Sequence, residues 1–232
     1  MVRQADHERG CVGGGSPLVL SLSKGEYSFL QFPLMLADES YLIDRSQKGD
    51  LAAFNALVEC YQRQVYNLCL RLLASAEAAE DATQEAFIAA YRRIDSFRGG
   101  NFRAWLLRIA ANASYDELRR QRRRPAASLE AAMATHGASQ TPSPAAGPED
   151  EALRLELNVH LQGGLATLPT DQRLAVILRD VQGLTYEELA EVMHCSVGTV
   201  KSRIARGRAR MREYLVAKRE LLPRPLRLKD EE

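Results

Sequence analysis

Gly183-Leu184-Thr185-Tyr186-Glu187-Glu188-Leu189-Ala190-Glu191-Val192-Met193-His194-Cys195-Ser196-Val197-Gly198-Thr199-Val200-Lys201-Ser202-Arg203-Ile204-Ala205-Arg206-Gly207-Arg208 reads as two short helices joined by a tight turn. Thr185 followed three residues later by Glu188 is a capping-box start, and Leu189, Val192 and Met193 recur behind it at helical spacing. The pattern breaks at His194-Cys195, and Ser196 is a good N-cap for a second helix. Val197, Val200 and Ile204 give that helix an inward stripe, while Lys201, Arg203, Arg206, Arg208, Arg210 and Arg212 place cations around the rest of it. A capped helix, a turn and a cationic helix make the helix-turn-helix pattern, whose second helix enters the DNA major groove.

Working upstream, a helix carrying Leu174, Ile177, Leu178 and Val181 on its inward face is ended by Gly183. Before Leu168-Pro169, another helix opens at Glu149 and carries Leu153, Leu157 and Leu161. Charge divides sharply across this half. From Glu149 to Cys195 acids dominate, whereas from Ser196 to Arg219 the one acid is Glu213. The formal net charge of +1 therefore hides a local concentration of cations. A protein that coated nucleic acid everywhere would be basic throughout; this distribution fits a reader of one particular site.

Further upstream, residues 125–148 turn to Ala, Ser, Thr, Pro and Gly and read as a linker, with a weak helix near Leu129–Met133. Residues 39–124 are patterned as an all-α unit. Pattern begins at Ser40-Tyr41-Leu42-Ile43, and Asp50 caps a long helix with Phe54, Leu57, Val58, Tyr61, Val65, Leu68 and Leu72 on one face. A second helix runs from about Ala78 to Ile94, with Ala82, Ala86, Phe87, Ala90, Tyr91 and Ile94 inward. After a Gly-Gly loop, a third starts near Phe102 and buries Phe102, Trp105, Leu106, Ile109 and Ala113. Its polar stripe, Arg108, Asn112, Asp116 and Arg119, lies on another face. The arginine run Arg119–Arg124 closes it, and its charge would suit phosphates without reading sequence. The fold class is thus all-α: two small helical domains, 39–124 and 149–222, joined by a flexible linker. Residues 1–38 and 223–232 read as a disordered extension and a fraying tail. Met35, just before the first patterned helix, marks Met1–Leu34 as an extension from an upstream start codon.

Several function classes drop out. No apolar run approaches the roughly 20 residues that span a bilayer, and Pro17-Leu18-Val19-Leu20 is too short and poorly flanked for a signal peptide. Cys60 and Cys69, nine residues apart on one helix, lie about 13 Å apart along its axis and on opposite faces, out of disulfide reach. With Cys11 and Cys195 they form no CxxC pair and read as reduced cytosolic thiols. His194-Cys195 has no second pair at zinc-site spacing, so no metal or cofactor is expected. Walker, GxSxG, HExxH and deaminase signatures are missing, and Glu187-Glu188 point about 100° apart on a helix, so no catalytic residue is assigned.

These motifs together resemble a bacterial RNA polymerase sigma factor of the extracytoplasmic-function group, sigma-E-like. Asp81-Ala82-Thr83-Gln84-Glu85-Ala86-Phe87, Tyr91-Arg92 and Phe97-Arg98-Gly99 resemble sigma region 2.2 and its following loop. Phe102-Arg103-Ala104-Trp105-Leu106-Leu107-Arg108-Ile109-Ala110 with Asn112 resembles regions 2.3 and 2.4. Leu168-Pro169 with Arg173, Gly183–Ala190 and Gly198-Thr199-Val200-Lys201-Ser202-Arg203 resemble region 4. The resemblance spans about Ser40 to Leu222.

It implies a promoter-specificity subunit without catalysis of its own. Asp81, Gln84 and Glu85 match the face that docks on the clamp helices of the largest polymerase subunit. Phe97, Arg98, Gly99, Gly100 and Asn101 match the loop that captures an unstacked base of the −10 element, where glycines allow close backbone approach. Arg108, Asn112 and Asp116 would face the same strand, with Arg119 and Arg120 following. In the helix-turn-helix, Lys201, Ser202, Ala205 and Arg206 match positions that read −35 bases, and Thr199, Arg203 and Arg208 fall to phosphates. The resemblance also implies core RNA polymerase and promoter DNA as partners, duplex at −35 and single-stranded at −10. A membrane-anchored anti-sigma factor wedged between the two domains is implied as well. The protein would be cytoplasmic, monomeric when free of polymerase, held near the inner membrane when so bound, and engaged in an envelope or other stress response. A second reading stays open: a self-sufficient helix-turn-helix regulator whose N-terminal helices dimerise or sense. That protein would bind a palindromic duplex unaided, whereas a sigma factor needs core polymerase.

Overall fold

A computed structural model describes residues 36–123 and 148–218 of the chain. The expectations for the N-terminal extension and its start codon, Arg124, the linker and its weak helix, and the C-terminal tail lie outside the described residues, as does the side chain of Leu153. Among the described residues the regular structure is entirely helical.

Four helices form the N-terminal group: α1 (Leu36–Gln47), α2 (Leu51–Leu73), α3 (Ala76–Arg93) and α4 (Phe102–Arg123). The central member is α2, which packs on the other three. It starts where Asp50 accepts from the backbone amides of Ala52 at 3.0 Å and Ala53 at 3.2 Å. Arg45, at 2.7 Å, holds that carboxylate in place. Its buried stripe is the expected one, with Phe54, Leu57, Val58, Val65, Leu68 and Leu72 inside and Tyr61 half-buried. Ala74 then takes a left-handed conformation (φ 57), and Ser75 caps α3 through the amide of Ala78. Cys60 is exposed and Cys69 buried, on opposite faces of α2.

Helix α4 buries more than its sequence stripe marks. Leu107, Ala110, Ala111 and Ser114 are buried besides Phe102, Leu106 and Ile109, because α2 and α3 clasp it from two sides. Ser114 is tolerated there by donating to the carbonyl of Ala110 at 2.9 Å. Two expectations are corrected. Trp105 and Ala113 are half-buried rather than core, Trp105 sitting against Phe97 and Phe102 at 5.5 and 5.4 Å.

The C-terminal group comprises α5 (Pro148–Thr167), α6 (Thr170–Val176), α7 (Tyr186–Met193) and α8 (Val197–Ala217). After α6 the chain winds through a wider π turn, Ile177–Val181. A π turn takes more residues per revolution than an α turn, so the inward slot moves one residue on. Val181, expected inside, is 47% exposed, and Gln182 is 7% exposed in its stead. Gly183 (φ 73) ends the segment as expected. Helix α8 collects the others, packing against α5, α6 and α7. Gly207 makes its closest crossing possible: a Cβ there would lie 2.6 Å from Val176 Cγ2 and 3.3 Å from the carbonyl oxygen of Gln172.

Candidate nucleic-acid interface

The helix-turn-helix is built as its sequence dictates. The hydroxyl of Thr185 accepts from the amide of Glu188 at 3.2 Å, and the Glu188 carboxylate accepts from the amide of Thr185 at 2.8 Å. That second bond is the main reason Glu188 titrates below the usual carboxylate range, with Asn101 and the Thr185 hydroxyl adding to it. Leu189 and Val192 are buried, His194 turns the chain with φ 49, and Ser196 caps α8 through the amide of Thr199 at 3.1 Å. Val200 and Ile204 are buried beneath it.

Four cations of α8 are individually tethered. Arg203 reaches Asp171 at 2.7 Å and also donates to the Cys195 sulfur at 3.5 Å. Arg208 donates to Asp180 at 3.1 Å, a bond that holds its guanidinium above the ordinary arginine range. Arg206 folds back on Ser202, donating to its hydroxyl at 3.1 Å and its carbonyl at 3.3 Å, and Ser202 in turn donates to the Thr199 carbonyl at 2.9 Å. Lys201 lies over the Tyr186 ring, 5.5 Å from its centroid. Lys201, Ala205, Arg206 and Arg208 are exposed; Thr199, Ser202 and Arg203 are half-buried.

On the N-terminal group, the loop after α3 leaves Gly99 (φ 94) and Gly100 (φ 92) in conformations that side chains rarely adopt, with open space where a Cβ would stand. Phe97 is 9% exposed and packs edge-on to Phe102 at 5.4 Å, so it anchors the loop while Arg98, Gly99, Gly100 and Asn101 face outward. Asn101 also caps α4, accepting from the amide of Ala104 at 3.0 Å. Asn112, Asp116, Arg119 and Arg120 are exposed along α4 and Arg108 is half-buried. Asp81, Gln84 and Glu85 share the exposed face of α3. Arg120 links the two faces, pairing with Glu85 at 3.3 Å and Glu117 at 2.7 Å.

Sequence reasoning missed what brings the groups together. The Asn101 amide donates to Glu188, so the glycine loop touches the start of the helix-turn-helix. Arg103 donates to Gln64 at 2.6 Å and to both the backbone and side-chain oxygens of Gln182, while Gln182 donates to the Gln64 carbonyl at 3.2 Å. Arg173 donates to the Leu72 carbonyl at 2.8 Å, and burial pushes its pKa down. Tyr115 donates to Asp171 at 3.2 Å; burial first and that carboxylate second push its phenol up. Between α4, α6 and α8 lies a cleft of about 930 Å³ walled by Arg119, Arg122, Arg173, Arg203 and Arg206, with Asp171 its one carboxylate. Cationic walls of this kind suit a polyanion. The long polar residues that make these bonds carry no local signal, since their partners lie 39 to 118 residues away.

Family models match both helical groups: "Sigma-70 region 2" over residues 57–124 and "Sigma-70, region 4" over residues 161–211. The ECF RNA polymerase sigma-E factor of Escherichia coli (strain K12) is 43% identical over 175 residues, covering 73% of this chain and 90% of that protein. The RNA polymerase sigma-H factor of Pseudomonas aeruginosa is 40% identical over 177 residues, with the same coverage. Two solved structures are similar. One is the sigma factor RpoE in complex with the anti-sigma factor NepR from Bartonella quintana, with 27% identity, TM-score 0.53, and coverage of 70% of this chain and 96% of that one. The other is CnrH in complex with the cytosolic domain of CnrY, with 26% identity, TM-score 0.56, and coverage of 78% and 98%.

Proposed function

The chain belongs to the extracytoplasmic-function group of sigma factors, and on that premise we propose how its residues divide the work. A sigma factor is a regulatory subunit: it directs core RNA polymerase to promoters. The observation that carries this is the match of both helical groups, in chain order, to Sigma-70 regions 2 and 4. The self-sufficient regulator gives way because its N-terminal helices, which that reading left to dimerisation or sensing, match region 2.

Residues 39–124 serve core polymerase and the −10 element, and residues 149–222 serve the −35 element. Asp81, Gln84 and Glu85 offer carboxylates and an amide to a basic, polar partner helix on the polymerase. The loop Phe97–Asn101 receives an unstacked base, its glycines giving the backbone access and Phe97 fixing its root. Arg108, Asn112 and Asp116 line the path of the displaced strand, and Arg119 and Arg120 neutralise its phosphates. At −35, Lys201, Ser202, Ala205 and Arg206 face base edges, and Thr199, Arg203 and Arg208 hold the backbone together with the amides at the start of α8. Strand separation needs no catalytic group, since selective capture of the open form shifts the equilibrium.

A membrane-anchored anti-sigma factor holds the protein near the inner membrane of the cytoplasm until an envelope or other stress releases it. Two similar solved complexes, the sigma factor RpoE with the anti-sigma factor NepR and CnrH with the cytosolic domain of CnrY, support this part. No described helix is long and apolar enough to cross a membrane itself. The test is initiation in a purified system. Added to core polymerase, the protein stimulates transcription from genomic templates whose aligned upstream regions share separated −35 and −10 boxes. No stimulation on any genomic template rejects the reading.

A further inference from the structure

Cations of α8 differ in what holds them. Arg203 and Arg208 are drawn onto carboxylates, Asp171 and Asp180, which offset part of their charge and take some of their donors. Lys201 has a partner of another kind, the π face of Tyr186, 5.5 Å from the ring centroid. An aromatic face attracts an ammonium through its quadrupole yet accepts no conventional hydrogen bond and leaves the positive charge uncompensated. A lysine held this way keeps its N–H donors for an outside acceptor.

The ring itself is fixed from two sides. Tyr186 is the first residue of α7, directly after Thr185, whose capping box with Glu188 sets the start of the helix. The Arg179 guanidinium lies 4.7 Å from the same ring centroid and donates to the Leu184 carbonyl at 2.7 Å, tying the ring to the turn before α7. Leu184 is itself buried. Lys201 alone would be a compact charge on a flexible four-carbon stem that samples many rotamers. Against a fixed ring, it is confined to those that bring the ammonium beside α7.

We propose that Tyr186 is a positioning residue for promoter choice, its ring holding Lys201 toward the acceptors of one base pair in the −35 major groove. The acceptors such an ammonium suits are guanine O6 and N7. The inference rests on the assignment of Lys201 to a base edge, and it adds a determinant on the first helix of the motif, outside the recognition helix.

The test uses the full chain with core polymerase on templates carrying each base at each −35 position. Lys201→Ala loses base preference at one position. Tyr186→Leu and Tyr186→Gln reduce discrimination at that same position by about two- to five-fold, the range open to an exposed cation–π contact. Other positions and the slope of binding against salt stay as in the parent, because no phosphate contact is lost. Tyr186→Phe, which keeps the ring, retains the preference. Tyr186→Leu adds nothing further in a Lys201→Ala background. A loss spread evenly over all positions, or additive with Lys201→Ala, gives Tyr186 a merely structural role and overturns the inference. If Lys201→Ala leaves every preference intact, the base contact fails and the inference falls with it. If Lys201→Ala acts while both Tyr186 variants behave as the parent, the inference alone falls.

Discussion

Under the proposed division of roles, Arg206 and Arg122 carry the same charge but different work. Arg206 is exposed on α8 and braced by Ser202, whose hydroxyl and carbonyl accept from it. Arg122 is exposed near the end of α4, in a run of arginines beside the cationic cleft. Arg206→Ala is therefore expected to relax −35 base choice by about 1–3 kcal/mol at one position. Arg122→Ala should weaken holoenzyme binding across all sequences and lower the salt slope by about 1. Binding of both variants to a −35 template series at several salt concentrations separates the two; matched, sequence-dependent losses would refute the division of roles. The residues that build the helix-turn-helix were legible because their cues are local: a cap three residues from its partner, an apolar stripe at helical spacing. Arg103, Gln64 and Gln182 were not legible, since nothing within a few residues of any of them foretells a partner on another helical group.

Helices and their ends carry the next two expectations. Gly207 lies inside α8, where an exposed glycine-to-alanine change normally stabilises by about 1 kcal/mol. Here the added methyl would stand 2.6 Å from Val176 and 3.3 Å from Leu168, both buried, so the sign reverses. Gly207→Ala should destabilise by about 1–3 kcal/mol, as overpacking does, read from urea unfolding of the isolated protein. An unchanged or raised midpoint would mean that α6 and α8 can part at no cost. Glu188 offers a pH test of the capping box. Its folded-state pKa is depressed, chiefly by the Thr185 amide. A depressed carboxylate contributes stability that is complete above its unfolded pKa and is lost as pH falls through its folded one. The thermal midpoint should therefore hold steady from neutral pH down to the ordinary carboxylate range and drop below it. Glu188→Gln keeps the capping geometry without the titration, so its midpoint should fall less over the same acid interval. Parallel curves for the two proteins would remove Glu188 from the acid response. At this scale the helices were legible and their phase was not always so. The π turn after α6 displaced Val181 from the core by one position, a slip that apolar period cannot signal because Val181 and Gln182 are adjacent and either can begin the exit.

For the molecule as a whole, the linker composition left the mutual placement of the two helical groups open, and side chains close it. Arg103 is the centre of that clasp, bonded at once to Gln64 of α2 and to Gln182 after α6. Gln162 and Arg173 add bonds to the carbonyls of Arg71 and Leu72, at 3.1 and 2.8 Å, and Asn101 adds one to Glu188. The bonds of the clasp run from side-chain donors on one group to backbone and carboxylate acceptors on the other, so a few residues carry them. A hydrogen bond from a charged donor contributes about 1.5–3 kcal/mol, so losing the Arg103 set should lower the ratio of closed to open molecules roughly ten- to hundred-fold. Arg103→Ala should leave the helical content of both groups intact while raising the radius of gyration of the free protein in small-angle scattering. Gln182→Ala should raise it by less, because it removes the side-chain oxygen that accepts from Arg103 and the amide that donates to the Gln64 carbonyl but keeps the Gln182 backbone acceptor, and the double variant should add little beyond Arg103→Ala, as partners in one network do. Two single variants with unaltered scattering curves would show that the remaining bonds suffice to keep the groups together. Two changes that simply sum would show instead that Arg103 and Gln182 act through separate contacts.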